Sequence, residues 1–280
     1  MSNHHLPTLI TSGTGKTGRR VADRLEALGR PVRIGSRSGN PPFDWNDPAT
    51  WSAALDGVGS VYVTYVPDIA FPGGAEAVDA FTRLAVEHGV RRVVLLSGRN
   101  EAGAVRGEQA VQASGADWTI VRSSFFAQNF SEGAFLDAVR GGEIALPAGE
   151  VAEPFIDVDD IADVAVAALT DDRHIGQLYE VTGPRLLTFA DVAAELTTAM
   201  GRPVRYSSIS SEQFAAGLQA AGLPEDDVIG LVELFTEVLD GRSAYLTDGV
   251  HRALGREPRD FSEFATAAAD AGAWDDEEVA

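Results

Sequence analysis

Cysteine is absent from this chain of 280 residues, which excludes disulfides, thiolate metal sites, iron–sulfur clusters and cysteine nucleophiles together. Lysine is nearly absent: Lys16 is the one lysine among 22 basic side chains, so chemistry that needs a lysine elsewhere is excluded. Basic residues are outnumbered by 42 acidic ones, and a net charge of −20 opposes phosphate backbones and anionic membrane surfaces at long range. Neither nucleic acid nor membrane is an expected partner. No apolar run approaches the roughly 18 residues that span a bilayer, and Met1-Ser-Asn-His-His lacks the basic and apolar regions of a signal peptide. A cytoplasmic location is expected. The five histidines (His4, His5, His88, His174, His251) show no ligand spacing, and no metal site is expected.

What is present is the ordinary balance of a chain able to bury a core, with 45% apolar and 23% charged residues. Short apolar runs at 8–12, 31–35, 60–66, 92–97 and 117–122 read as strands bounded by glycine or proline. Between them lie helical stretches, such as the one carrying Val21, Leu25 and Leu28 on one face and ending at Gly29, and those around 75–88 and 105–114. This alternation predicts βαβ units and a parallel sheet covered on both faces. After about residue 145 the rhythm changes. Glu153–Asp157 and Gln177–Thr182 read as further sheet members around a helix at Asp159–Leu169. From Pro184 the chain reads as mostly helical, with a helix start at Thr188-Phe-Ala-Asp191 and an amphipathic stretch at Pro224–Leu239. The acidic end, Trp274 to Ala280, reads as frayed.

Gly13-Thr14-Gly15-Lys16-Thr17-Gly18 follows the first strand and opens the first helix. In that setting the first glycine makes a tight turn, the second admits a pyrophosphate to the backbone, and the third lets helix and strand pack closely. The helix N-terminus adds N–H groups and a favourable dipole for phosphate charge. A phosphate loop of the Walker type would need glycine where Ile10 stands and is excluded. The expected fold is therefore α/β, a doubly wound parallel-sheet Rossmann fold. Residues 6–150 are expected to form the dinucleotide-binding domain, with its sheet completed by about 151–183. Residues 184–280 are expected to form a smaller, mostly helical subdomain.

The second strand separates the two nicotinamide cofactors. An NAD site places an acid about 20 residues past the glycine motif for the ribose hydroxyls. Here the strand ends Gly35-Ser36-Arg37-Ser38. Arg37 can pair with a 2′-phosphate, with Ser36 beside it, so NADP(H) is expected in preference to NAD(H).

The sequence resembles the NmrA-like group of atypical short-chain dehydrogenases/reductases. The likeness is carried by 11–18, Val93-Val-Leu-Leu-Ser-Gly98, Ser114-Gly-Ala-Asp-Trp-Thr-Ile-Val-Arg122, Phe125-Phe-Ala-Gln-Asn129, Pro154–Ala162 and Tyr179-Glu-Val-Thr-Gly183. The resemblance implies a small C-terminal subdomain and a nicotinamide dinucleotide across the strand ends. It places Asp44 and Trp45 at the adenine, Tyr65, Val66 and Pro67 beside the ribose at the end of a fourth strand, and Ser97 and Gly98 near the nicotinamide at the end of a fifth. Ser123 to Phe125 follow a sixth strand at the same mouth. The Tyr–Lys pair of ordinary members is missing, because none of Tyr62, Tyr65, Tyr179, Tyr206 and Tyr245 has lysine four residues later. Redox-active relatives often carry histidine four residues before the glutamate matching Glu108, and here Ala104 stands there.

The candidate catalytic residues are Ser97, as donor to a substrate carbonyl, Tyr65, as the phenol nearest the nicotinamide, and Asn129, which orders a loop or caps a helix near Ser131. Arg99 and Asn100 read as an exposed loop pair and Glu108 as helix-surface charge. Phe125, Phe126 and Phe130 form either an apolar pocket wall or an aromatic core. Asp157, Asp159, Asp160 and Asp163 cluster at a helix start, where capping and the helix dipole account for them. Together these readings predict an NADPH-dependent reductase of a small aromatic or conjugated acceptor, quinone- or dye-like, with hydride passed directly and without the dyad. A non-catalytic NADP-binding sensor with a protein partner is the alternative; an extended-type epimerase, which normally needs the dyad, ranks below both.

Overall fold

The computed structural model describes residues 6–275, so His4, His5 and residues 276–280 lie outside the described residues. The chain runs β1 (Thr8–Thr11), α1 (Lys16–Ala27), β2 (Val32–Gly35), α2 (Trp51–Leu55), β3 (Ser60–Val63), α3 (Gly74–Glu87), β4 (Arg92–Gly98), α4 (Ala102–Ala113) and β5 (Asp117–Ser123). It continues with α5 (Asn129–Glu132), α6 (Leu136–Arg140), β6 (Glu143–Leu146), β7 (Ala152–Glu153), α7 (Val158–Thr170) and β8 (Gln177–Val181). The last part is β9 (Leu187–Thr188), α8 (Phe189–Met200), β10 (Arg205–Ser208), α9 (Ser211–Ala220), α10 (Glu225–Val238), α11 (Gly249–Leu254) and α12 (Phe261–Asp270). No described helix is long and apolar enough to cross a membrane.

The chain divides into two compact units that interleave along the sequence: residues 6–123, 158–181 and 248–256 form the first, and 124–157, 182–247 and 257–275 the second. In place of the expected domain at 6–150, with its sheet completed by about 151–183, and subdomain at 184–280, the two units cross several times along the chain. The change follows from where strands find partners. Glu153–Asp157 does not join the central sheet: Ala152–Glu153 pairs antiparallel with Leu187–Thr188, and Ile156 makes an isolated parallel bridge with Phe126. Gln177–Val181 does join the sheet, beside β5.

The first unit holds a six-stranded, all-parallel sheet in the order β2-β1-β3-β4-β5-β8. The order of growth reverses at β1, and in sheets of this kind ligands bind outside the carboxyl ends of the strands at such a reversal. Leu9, Val61, Val63, Val93, Leu95 and Ile120 share a core with Trp51, Phe81 and Val111 of α2, α3 and α4. Their alternates Ile10, Tyr62, Val94 and Val121 are fully buried on the opposite face. Burial on both faces explains why these strands read as unbroken apolar runs. The strands expected as fourth, fifth and sixth are third, fourth and fifth, because residues 36–50 contribute no sheet strand, only an isolated bridge between Asp44 and Asp47.

Helix α7 is tied to its neighbours by charge. Arg24 of α1 donates to Asp159 at 2.6 Å and to Asp163 at 2.7 Å, and Arg256 reaches Asp160 at 2.7 Å. Arginine pairing, in addition to the helix dipole, accounts for this acidic cluster. His174 is buried beside β8, with Nδ1 2.7 Å from the Tyr179 hydroxyl. Burial, aided by Arg173, holds its pKa below the ordinary histidine value. The unfolded chain then binds a proton that the native state resists, so this contribution is present above about pH 6.5 and is lost as the pH falls. Urea unfolding between about pH 8 and about pH 5 is expected to show a smaller loss of stability for His174→Gln than for the wild type. Equal losses would show that His174 does not carry it.

The second unit is built around aromatic rings. Phe130, Phe135, Phe155, Phe189, Phe235, Phe261 and Trp274 share one core. Alongside the expected helices it contains a parallel pair, β6 with β10, that the sequence reading left unassigned. The Thr188 start is a reciprocal cap: its side chain accepts from the Asp191 N–H, and the Asp191 carboxylate accepts from the Thr188 N–H.

Candidate dinucleotide site

Strand β1 ends in a turn whose shape demands its glycines. A Cβ on Gly13 would stand 2.9 Å from the Ile10 carbonyl oxygen, and one on Gly18 would stand 2.6 Å from the Ser12 carbonyl oxygen and 2.8 Å from Gly13 Cα. Ser12 itself adopts φ +50°, and its hydroxyl donates to the Thr64 carbonyl at 3.1 Å. Backbone held in this region by surrounding bonds is a mark of a functional turn. Thr14 and Gly15 are exposed at its tip. Helix α1 starts there with no side-chain cap and no acid in its first turn. The N-terminal N–H groups of a helix have no partner within it, and the dipole favours an anion. The close-packed turn at Gly13, Gly15 and Gly18, with Thr14, Lys16 and Thr17 at the open start of α1, has the chemistry that the pyrophosphate of a dinucleotide would need.

Arg37 follows β2 and is exposed, and among the described residues no acid pairs with it. Ser36 lies beside it, its hydroxyl 3.5 Å from that of Ser38. Asp44 holds a turn, its carboxylate accepting from the Asn46 N–H at 2.9 Å. Trp45 is buried; its Nε1 donates to the Thr64 carbonyl at 3.0 Å, and its ring packs among Phe43, Trp51 and Phe81. Tyr65, just past β3, lies with its ring centroid 5.1 Å from that of Trp45. Val66 and Pro67 after it are exposed.

The carboxyl end of β4 is polar and buried. Val93, Leu95 and Ser97 point to the α4 face, and register sets Ser97 beside Arg122 of β5 and Arg122 beside Glu180 of β8. Glu108 of α4 closes the group from above and is only 2% exposed. Ser97 Oγ donates to Glu108 Oε1 at 2.7 Å, Arg122 Nε donates to the same oxygen at 2.8 Å, and Arg122 Nη2 pairs with Oε2. Arg122 also reaches Glu180 at 3.5 Å, and Arg99 donates to Glu180 Oε1 at 2.9 Å. The bonds to Glu108 hold the Arg122 guanidinium's pKa above its ordinary value.

Two expectations are corrected here. Glu108 is a buried ion-pair partner rather than surface charge, because α4 lays that helix face on the sheet. Arg99 is buried and paired rather than exposed. The sequence carried a signal for this: Arg122 ends an apolar strand, and a charge entering a covered sheet requires a partner. Nearby, the Glu101 carboxylate lies against Gly98, where a Cβ would stand 2.2 Å from its Oε2. Ser123 donates to the Ser97 carbonyl at 3.2 Å.

In the second unit, Phe125 is partly buried against the aromatic core, 5.5 Å from Phe155 and 5.8 Å from Phe189 by ring centroids. Phe130 is wholly buried, which makes it core rather than pocket wall. Asn129 is the first residue of α5, and Gln128 holds the cap position, so Asn129 does not cap a helix at Ser131. Gln128, which the sequence reading did not single out, donates from Nε2 to Asp157 at 2.7 Å, both side chains being buried.

Residues 104–265 match the model of the NmrA-like family. The chain is 37% identical over 273 residues to the uncharacterized oxidoreductase YesF of Bacillus subtilis, covering 93% of this chain and 94% of that one. It is 36% identical over 283 residues to the NAD(P)H azoreductase of Xenophilus azovorans, covering 92% and 96%. Among solved structures, the Citrobacter sp. triphenylmethane reductase complexed with NADP(H) superposes with a TM-score of 0.73 at 18% identity, covering 94% of this chain and 99% of that one, a likeness of fold. The chain belongs to the NmrA-like family and is an oxidoreductase of it.

Proposed function

We propose that this oxidoreductase uses NADPH in preference to NADH and reduces a small aromatic or conjugated acceptor of quinone or dye type. The observation that carries the reading is the uncapped, acid-free start of α1 behind close-packed glycines. Arg37, with no acid paired to it among the described residues, supports the 2′-phosphate. When bound, the reduced nicotinamide supplies a hydride. The chain's part is to hold the diphosphate at α1, read the 2′-phosphate with Arg37, and orient the ring at the strand ends; Tyr65, Val66 and Pro67 are proposed to flank the ribose, and Ser97, Gly98 and Ser123 the ring. Asp44 and Trp45 are proposed to border the adenine.

The missing Tyr–Lys pair fits such an acceptor. A quinone accepts hydride without prior protonation and takes its proton from water, so proximity and orientation suffice. Relatives with an azoreductase name and a dye-reductase fold are consistent with this choice. The test is loss of reduced-nicotinamide absorbance with NADPH or NADH against quinones and azo and triphenylmethane dyes. Turnover that favours NADPH is expected. Protein that binds NADPH yet turns over no acceptor would overturn the reductase and favour the sensor.

A further inference from the structure

A carboxylate gripped by a guanidinium offers only lone pairs to a third neighbour. Glu108 is in that state: Arg122 engages both of its oxygens, and Ser97 Oγ lies 2.7 Å from Oε1. The single hydroxyl hydrogen of Ser97 is therefore committed to Glu108. Toward any other group, Ser97 Oγ presents a lone pair. That polarity is the reverse of a serine that donates to a substrate carbonyl.

The arrangement is held from several sides. Arg122 is flanked by Glu180, and Glu180 by Arg99, so charges alternate along the row. Rotating Glu108 away from Ser97 would break its two bonds to Arg122 inside the protein, where unpaired charge is penalised heavily. Ser97 cannot exchange roles at little cost.

We propose that Glu108 is a positioning residue that makes Ser97 a hydrogen-bond acceptor at the end of β4, and that the group accepted is the carboxamide N–H of the nicotinamide. The assignment rests on the dinucleotide reading above. Chemistry selects the carboxamide: it is the N–H donor attached to the nicotinamide ring, whereas a quinone offers carbonyl oxygens and no N–H.

The test compares the affinities of NADP⁺ and its 3-acetylpyridine analogue, in which a methyl ketone replaces the carboxamide, by calorimetry on folded protein. The wild type is expected to prefer NADP⁺. Ser97→Ala is expected to weaken NADP⁺ about fivefold or more, the loss of one hydrogen bond, and to leave the analogue nearly unchanged. In the double variant Glu108→Leu with Arg122→Met, Ser97 loses its acceptor without a charge being stranded. The serine hydrogen is then released outward, and preference is expected to move toward the analogue. A merely structural role for Glu108 would weaken both ligands alike. Ser97→Ala decides the matter if the double variant does not fold. An unchanged affinity ratio in Ser97→Ala, or a wild-type preference for the analogue, would overturn the assignment alone. Failure of folded wild type to bind either dinucleotide would overturn the cofactor reading and this assignment with it.

Discussion

Exchanging Arg37 for glutamate is expected to weaken NADPH binding far more than NADH binding, by about 1–3 kcal/mol, or roughly fivefold to 150-fold in relative affinity. The guanidinium follows β2, the strand beside the glycine turn, and has no acid paired with it among the described residues. A 2′-phosphate there meets a cation whose charge is not already engaged. Reversal removes the attraction and adds repulsion, while NADH, lacking that phosphate, serves as the internal control. Because Arg37 is exposed, the difference is expected to shrink as salt is raised. Titrations of both cofactors at two ionic strengths check this. Equal weakening of the two would show that Arg37 does not read the phosphate.

Removing the Glu108 side chain should act mainly on the fold. Glu108→Ala is expected to destabilise the protein by about 3–5 kcal/mol, since it leaves Arg122 without its principal partner inside the structure. That is a large part of the roughly 5–15 kcal/mol that holds a domain folded. Ser97 would also lose its acceptor. Replacing both members, Glu108→Leu with Arg122→Met, is expected to recover part of the loss, because no charge is then stranded. Urea unfolding of the single and double variants measures the difference. A loss below about 1 kcal/mol for Glu108→Ala would mean that solvent screens the pair as it does at a surface.

Features written in local chemistry were legible from the chain. Turn, helix start and close packing at 13–18 are adjacent in sequence, so three glycines announced them, and the structure shows the contacts a Cβ would violate. Unbroken apolar runs announced buried parallel strands because both sheet faces are covered. The absence of cysteine and the solitary lysine excluded whole mechanisms without any structure.

Register and burial decided the rest. Ser97, Arg122 and Glu180 are far apart in sequence and form one row only because three strands align at those positions. Glu108 looked like surface charge because one helical turn does not reveal which face meets the sheet. The segment Glu153–Asp157 reads as a strand of the main sheet, yet Glu153 pairs with Leu187 and Ile156 forms an isolated bridge with Phe126, contacts that only the fold brings together. Backbone conformation and apolar periodicity are properties of neighbours along the chain; the polarity of Ser97 depends on groups that only the fold brings together.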